Sequence, residues 1–239
     1  MCATPVVRGG HLARLLGVGC LAAVVLLSPP LAAATDPLPD AALQALPEAS
    51  PEVRQMARWI MASGDAGGRH VVLVDKRAAH AFVFDSRGRL QGHAPVLLGL
   101  ARGDHTVPGI GDRPLAQVRP HERTTPAGRF SAELGHNLQG EDVVWVDYDA
   151  AVSMHRVRAR VRAERRLERL ASATAQDNRI SYGCINVPVA FYERTLLPAV
   201  QSGALVYVLP EVRSLSEVFG PAVSQPAVPA AARPVGAAG

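Results

Sequence analysis

The chain spells a mainly β domain with a few packed helices, and three observations point that way. Short runs rich in Val and Phe recur along it, at His70–Asp75, Ala81–Asp85, Val143–Val146 and Ala204–Leu209. Polar turns separate them at a spacing that suits antiparallel strands and hairpins. No glycine-rich strand-to-helix junction occurs, so the nucleotide-binding α/β folds find no support.

The first residues read as an address, not as fold. Arg8 and Arg14 precede an unbroken apolar run from Leu15 to Leu27, and Ala32, Ala33 and Ala34 follow in the arrangement that signal peptidase accepts. At about 1.5 Å per residue the run covers about 20 Å, short of the ~30 Å hydrocarbon core. Residues 1–34 are therefore expected to be a signal peptide of a protein exported to the periplasm or cell envelope. An uncleaved membrane anchor is the alternative, and a membrane partner follows only in that case. Cys20 lies inside the apolar run, which argues against a lipoprotein. The whole chain carries 25 basic against 21 acidic residues, a net +4, and losing the leader brings the signs nearer to balance. With aromatics at 5 % there is little to stack on bases, so nucleic acid is not expected as a partner. Nothing speaks to oligomeric state.

Residues 35–68 read as a Pro/Ala-rich linker followed by a helix. Ser50-Pro51-Glu52 supplies a capping hydroxyl, a proline at the first helical position and an acid in the first turn. Val53, Met56, Ala57 and Ile60 recur at helical spacing until Gly64 stops them. Two strands follow, then the Ser86-Arg87-Gly88 turn into Leu90 and an apolar run at Pro95–Leu100; later strands are expected at Val143–Val146 and Ala150–Met154. From Arg156 to Ser172 the texture changes. Val157, Val161, Ala163, Leu167 and Leu170 give a loose apolar stripe, read as a helix with seven arginines against Glu164 and Glu168. That face is either solvated and supported by pairs such as Glu164 with Arg160, or a basic rim that attracts a carboxylate-bearing substrate. Phe191 to Gln201 reads as a last helix before the Ala204–Leu209 strand, and 211–239 as a Pro/Ala-rich tail without fixed structure.

Cysteine usage narrows the chemistry. Cys2 and Cys20 leave with the leader, so Cys184 alone remains and has no partner for an internal disulfide. It is either a reactive thiol or a small buried hydrophobe. Its setting, Arg179–Pro188 (RISYGCINVP), offers Gly183 for a sharp turn and Ser181 for a hydrogen bond within the loop. A thiol of pKa about 8.5 needs a base to take its proton and N–H groups to meet the oxyanion formed on attack.

The segment resembles the S-H-G-C-[IV]-[RN] signature of the L,D-transpeptidase catalytic domain, the YkuD-like family. Other stretches agree in order: HVVLVDKRAAHAFVFDSRGRL looks like that domain's opening hairpin, Thr125–Phe130 (TPAGRF) its T-P-x-G-x-F loop, and Ala151–His155 (AVSMH) the strand ending in the catalytic histidine. SYGCIN, the next helix and SGALVYVL match its closing elements, so the resemblance covers residues 69–210. It implies a β-sandwich or barrel in which the arginine-rich helix is an insertion, with Cys184 as nucleophile and His155 as base. The implied partner is a peptidoglycan stem peptide, cleaved before its terminal D-Ala and joined to an amine. Backbone N–H groups of Gly183 and Cys184 are then expected at the oxyanion, Ser181 and Asn186 as braces of the loop, and Arg179, Tyr182 and Arg156 beside the substrate. The chain departs from the family pattern at Arg156, where glycine is usual, at Tyr182, where histidine is usual, and in the longer stretch between His155 and Cys184. The other histidines (His70, His80, His93, His105, His121, His136) show no metal-ligand spacing, and no cofactor or metal is expected. A cell-wall cysteine hydrolase such as an L,D-carboxypeptidase, or a catalytically weak wall-binding module, are the rival readings.

Overall fold

The computed structural model describes residues 40–224; the expected leader, the start of the linker and the end of the tail lie outside them. A short helix α1 (Asp40–Gln44) leads to α2 (Pro51–Ser63). The Ser50 hydroxyl accepts the Val53 N–H at 3.2 Å, and Gly64 closes the helix in the left-handed region at φ 69°. Only a residue without Cβ takes that conformation cheaply, which is why the helix stops there.

Eleven strands follow in the described chain. β1 (His70–Asp75), β2 (His80–Phe84) and β3 (Leu90–Pro95) form the opening meander. After β4 (Leu98–Gly99) a loop with three 3₁₀ turns reaches β5 (Gly128–Ser131). β6 (Glu133–His136), β7 (Asp142–Asp147) and β8 (Val152–Arg156) come next, then the helix α3 (Arg166–Leu170). β9 (Arg179–Ser181) and β10 (Ile185–Val187) flank Cys184. A helical segment of α4 (Val189–Phe191), a π-helical turn (Tyr192–Leu196) and α5 (Leu197–Gln201) precedes β11 (Ala204–Leu209) and α6 (Leu215–Phe219). The fold is mainly β.

One sheet runs β3-β2-β1-β11-β5 and a second β10-β8-β7-β6, with β4 and β9 as a separate pair. Alternation along the first sheet explains its unbroken apolar runs. Val72, Val74 and Val206 face the second sheet and pack with Val144, Val152, Met154 and Ile185. Val71, Leu73, Leu205 and Tyr207 face α2, where Val53, Met56, Ala57 and Ile60 are buried. A central strand buried on both faces has no polar side to show. Each large apolar side chain buried this way contributes roughly 1.5–3 kcal/mol.

Three expectations need correction. The strands are not all antiparallel: β1 with β11, β8 with β10 and β4 with β9 run parallel. The Arg156–Ser172 helix shrinks to α3, after a 3₁₀ turn at Arg162–Glu164. Its first half, RVRARV, alternates with a strand's period of two, and the Val157 N–H continues the ladder to Val187 O at 2.7 Å. The described part of the tail, residues 211–224, has fixed structure, because Ser214 and Glu217 form a capping box for α6 and Leu215 and Val223 are buried against α2's core. Among the described residues no helix is long and apolar enough to cross a membrane.

Candidate active site

The site sits on one face of the second sheet. Parallel pairing of β10 with β8 sets Asn186 opposite His155 and Ile185 opposite Met154. Met154 and Ile185 enter the core, so Ser153, His155, Cys184 and Asn186 share the opposite face. Residues far apart in the chain become lateral neighbours.

Cys184 is half-buried and lies beside His155, close enough for each to shift the other's pKa. Its sulfur also lies 3.7 Å from Ser153 Oγ and 3.7 Å from Ala151 O. His155 Nδ1 donates to Arg156 O at 2.9 Å, which leaves Nε2 unprotonated in the neutral ring. Burial pulls the imidazole pKa down, but the hydrogen bond and charge of Cys184 more than offset it, so His155 stands above its ordinary value. Burial pushes the Cys184 thiol up, while the bond to His155, its charge and the Ser153 contacts carry it below its ordinary value. Both shifts favour a proton moving from sulfur to nitrogen.

The loop is built around Gly183, whose φ of 135° belongs to glycine and whose absent Cβ would lie 2.8 Å from Thr124 O. Ser181 Oγ accepts the Gly183 N–H at 3.1 Å and donates to Cys184 O at 2.6 Å, so the serine braces the turn. The Gly183 N–H is thereby engaged and does not face an oxyanion, contrary to the expectation for it. Thr125, the first residue of TPAGRF, donates its hydroxyl to Gly183 O at 2.8 Å and accepts the Gly99 N–H at 2.9 Å. With that carbonyl tied to Thr125, the trans peptide sends the Cys184 N–H to the opposite side.

Other expected residues are placed differently. Asn186 does not brace the loop; it is fully buried, and its Nδ2 donates to His155 Nε2 at 3.2 Å. Arg179 does not face a substrate carboxylate, because its guanidinium is buried against Glu211, with Nη2 2.6 Å from Oε2, and Lys76 O. Arg156 pairs with Asp142 at 2.8 Å and Glu193 at 3.1 Å, over the Tyr192 ring, so only its backbone serves the site. The Tyr182 ring lies under the Arg123 guanidinium, 3.9 Å from centroid. Arginines of the insertion are paired too: Arg158 and Arg160 with Glu141, Arg165 with Glu168, and Arg166 with Glu164.

Ser153 and Arg166 escaped the sequence reading. Ser153 was legible, since two residues before His155 on a strand means the same face. Nothing in the sequence marked Arg166 among seven arginines; its guanidinium donates to Asn186 Oδ1. Elsewhere, His80 Nε2 and His93 Nδ1 lie 2.9 Å apart, and burial with mutual repulsion holds His80 at about 4. Among the described residues no group of His, Cys, Asp and Glu could hold a metal ion.

No protein-family model matches the chain, and no curated protein does. Among solved structures it is similar to the catalytic domain of the E. faecium L,D-transpeptidase, at 18 % identity over 59 % of this chain and 98 % of that one, with a TM-score of 0.35. It is also similar to the helical cell shape determining protein Pgp2 from Campylobacter jejuni, at 14 % identity over 61 % of this chain, with a TM-score of 0.39. The chain spans about half of that protein's length, 49 %. A third likeness, to an L,D-transpeptidase (Yku) from Stackebrandtia nassauensis, has 15 % identity over 72 % of this chain and 75 % of that one, with a TM-score of 0.36.

Proposed function

We propose that the protein is an exported cell-wall enzyme, a peptidoglycan L,D-transpeptidase that works through an acyl-enzyme on Cys184. The observation that carries this reading is the parallel pairing of β8 with β10, which puts Cys184, just before β10, beside His155, with Nδ1 of the imidazole anchored on Arg156 O. In the proposed reaction His155 Nε2 takes the thiol proton as sulfur attacks the carbonyl before the terminal D-Ala of a stem peptide. The same nitrogen returns the proton to the departing amine, and a thioester remains on Cys184. An amine from a neighbouring stem then resolves the thioester into a crosslink. The Cys184 N–H is assigned to the oxyanion, and the Ser181 and Thr125 bonds keep the loop fixed while charge develops.

The test is incubation of the purified protein with tetrapeptide muropeptides, with and without an acceptor amine, read by product mass. Crosslinked product that disappears in Cys184→Ala is expected. Loss of D-Ala with water alone as acceptor would replace transfer by hydrolysis, and full activity of Cys184→Ala would end the proposal.

A further inference from the structure

The segment between β8 and β9 reaches the Asn186 side chain through Arg166. Arg166 Nη1 donates to Asn186 Oδ1, while its Nε donates to Glu164 Oε2 at 2.6 Å. A guanidinium has donors and no acceptor, so the Asn186 atom facing it must be the oxygen. The amide nitrogen is thereby turned toward His155 Nε2, to which it donates at 3.2 Å. We propose that Arg166 is a positioning residue which, by fixing the direction of the Asn186 amide, holds a donor against the nitrogen that receives the Cys184 proton.

This rests on the catalytic pair proposed above and gives the insertion a role in it. While the amide donates into Nε2, it stabilises the neutral ring and competes with the thiol for the same lone pair. Once Nε2 carries a proton, two donors face each other and the amide has to yield. Released from Arg166, the Asn186 amide can turn its oxygen to the protonated ring and stabilise it. Arg166 thus biases the resting pair toward thiol and imidazole. Besides Arg166, the charged groups that act on the ring include Cys184 just before β10, Arg158 beyond β8 and Glu141 just before β7, the last paired with Arg158 and Arg160.

The test is the pH profile of Cys184 alkylation by iodoacetamide in the full chain, with Arg166→Met and Arg166→Gln. Gln keeps a donor for Asn186 Oδ1 without the charge; Met keeps neither. The midpoint is expected about one pH unit lower in Arg166→Met, the size of one reversed hydrogen bond, and unchanged in Arg166→Gln. Equal shifts in both variants would make the effect one of charge and overturn the proposal, as would no shift in Met. A wild-type profile identical to that of His155→Ala would instead overturn the catalytic pair beneath it. The unaltered protein gives a second check, free of any folding defect. Nuclear Overhauser contacts are expected between the Asn186 amide protons and the His155 ring protons, and their absence in folded protein also overturns the proposal.

Discussion

A thiol in water is mostly protonated at neutral pH, and what surrounds Cys184 carries its pKa below the ordinary value. His155 lies beside it, Ser153 Oγ is 3.7 Å from the sulfur, and Gly183 gives the turn before it. The sign of the pH dependence follows from the two shifts. The thiolate persists down through the lowered Cys184 value, and the imidazolium persists up through the raised His155 value. Alkylation in wild type is therefore expected to remain fast below the ordinary thiol range. In His155→Ala its midpoint should return to about 8.5. A midpoint that stays put in His155→Ala, measured by mass spectrometry against pH, would remove the imidazole from the site.

Between elements, the parallel register of β8 and β10 does what neither strand does alone. It aligns Ser153 and His155 with Cys184 and Asn186 on one face and sends Met154 and Ile185 into the core. The turn that carries Cys184 is tied to two other segments by a single hydroxyl, that of Thr125, between Gly99 N–H and Gly183 O. Thr125→Val keeps the shape and leaves two buried backbone groups unpaired. It is expected to destabilise the protein by about 1–3 kcal/mol in denaturant unfolding and to slow Cys184 acylation beyond what the stability loss explains. Unchanged acylation would show that the turn holds itself.

Across the molecule, buried charge fastens the long loop between β4 and β5 to the turn after β11. Lys76, fully buried, donates to Asp104 at 2.8 Å, Thr125 O at 2.8 Å and Gly103 O at 2.6 Å, and Arg179 and Glu211 complete the group. Asp104 also accepts the N–H groups of Glu211, Val212 and Arg213. Burial would raise the Asp104 carboxyl, yet these donors, Lys76 first, hold it at about 2 against an ordinary 3.8. A depressed carboxylate adds stability that is complete above its unfolded value and lost as pH falls through its folded one. Wild type should thus lose about 2 kcal/mol as pH drops from about 4 to about 2. Asp104→Asn should be less stable at pH 7 and lack that part of the acid transition. Superimposable urea unfolding profiles of the two proteins across this range would exclude the role.

The mainly β character, the α2 cap and stop, and the placement of Cys184 beside His155 were readable because each rests on local information: a period, a capping pattern, a turn glycine, a motif. Ser181 belongs with them, since a hydroxyl two residues before Gly183 has few other places to bond. Partners of long charged side chains were not readable. Arg179, Arg156 and Asn186 all took positions that depend on segments distant in the chain, namely Glu211, Asp142 with Glu193, and His155 with Arg166. A guanidinium or amide satisfies itself with whichever acceptor folding brings near, and a period-two run such as RVRARV becomes strand or helix according to the neighbour it meets. Apolar periodicity is written along the chain; the pairing of buried polar groups exists only once the strands have met.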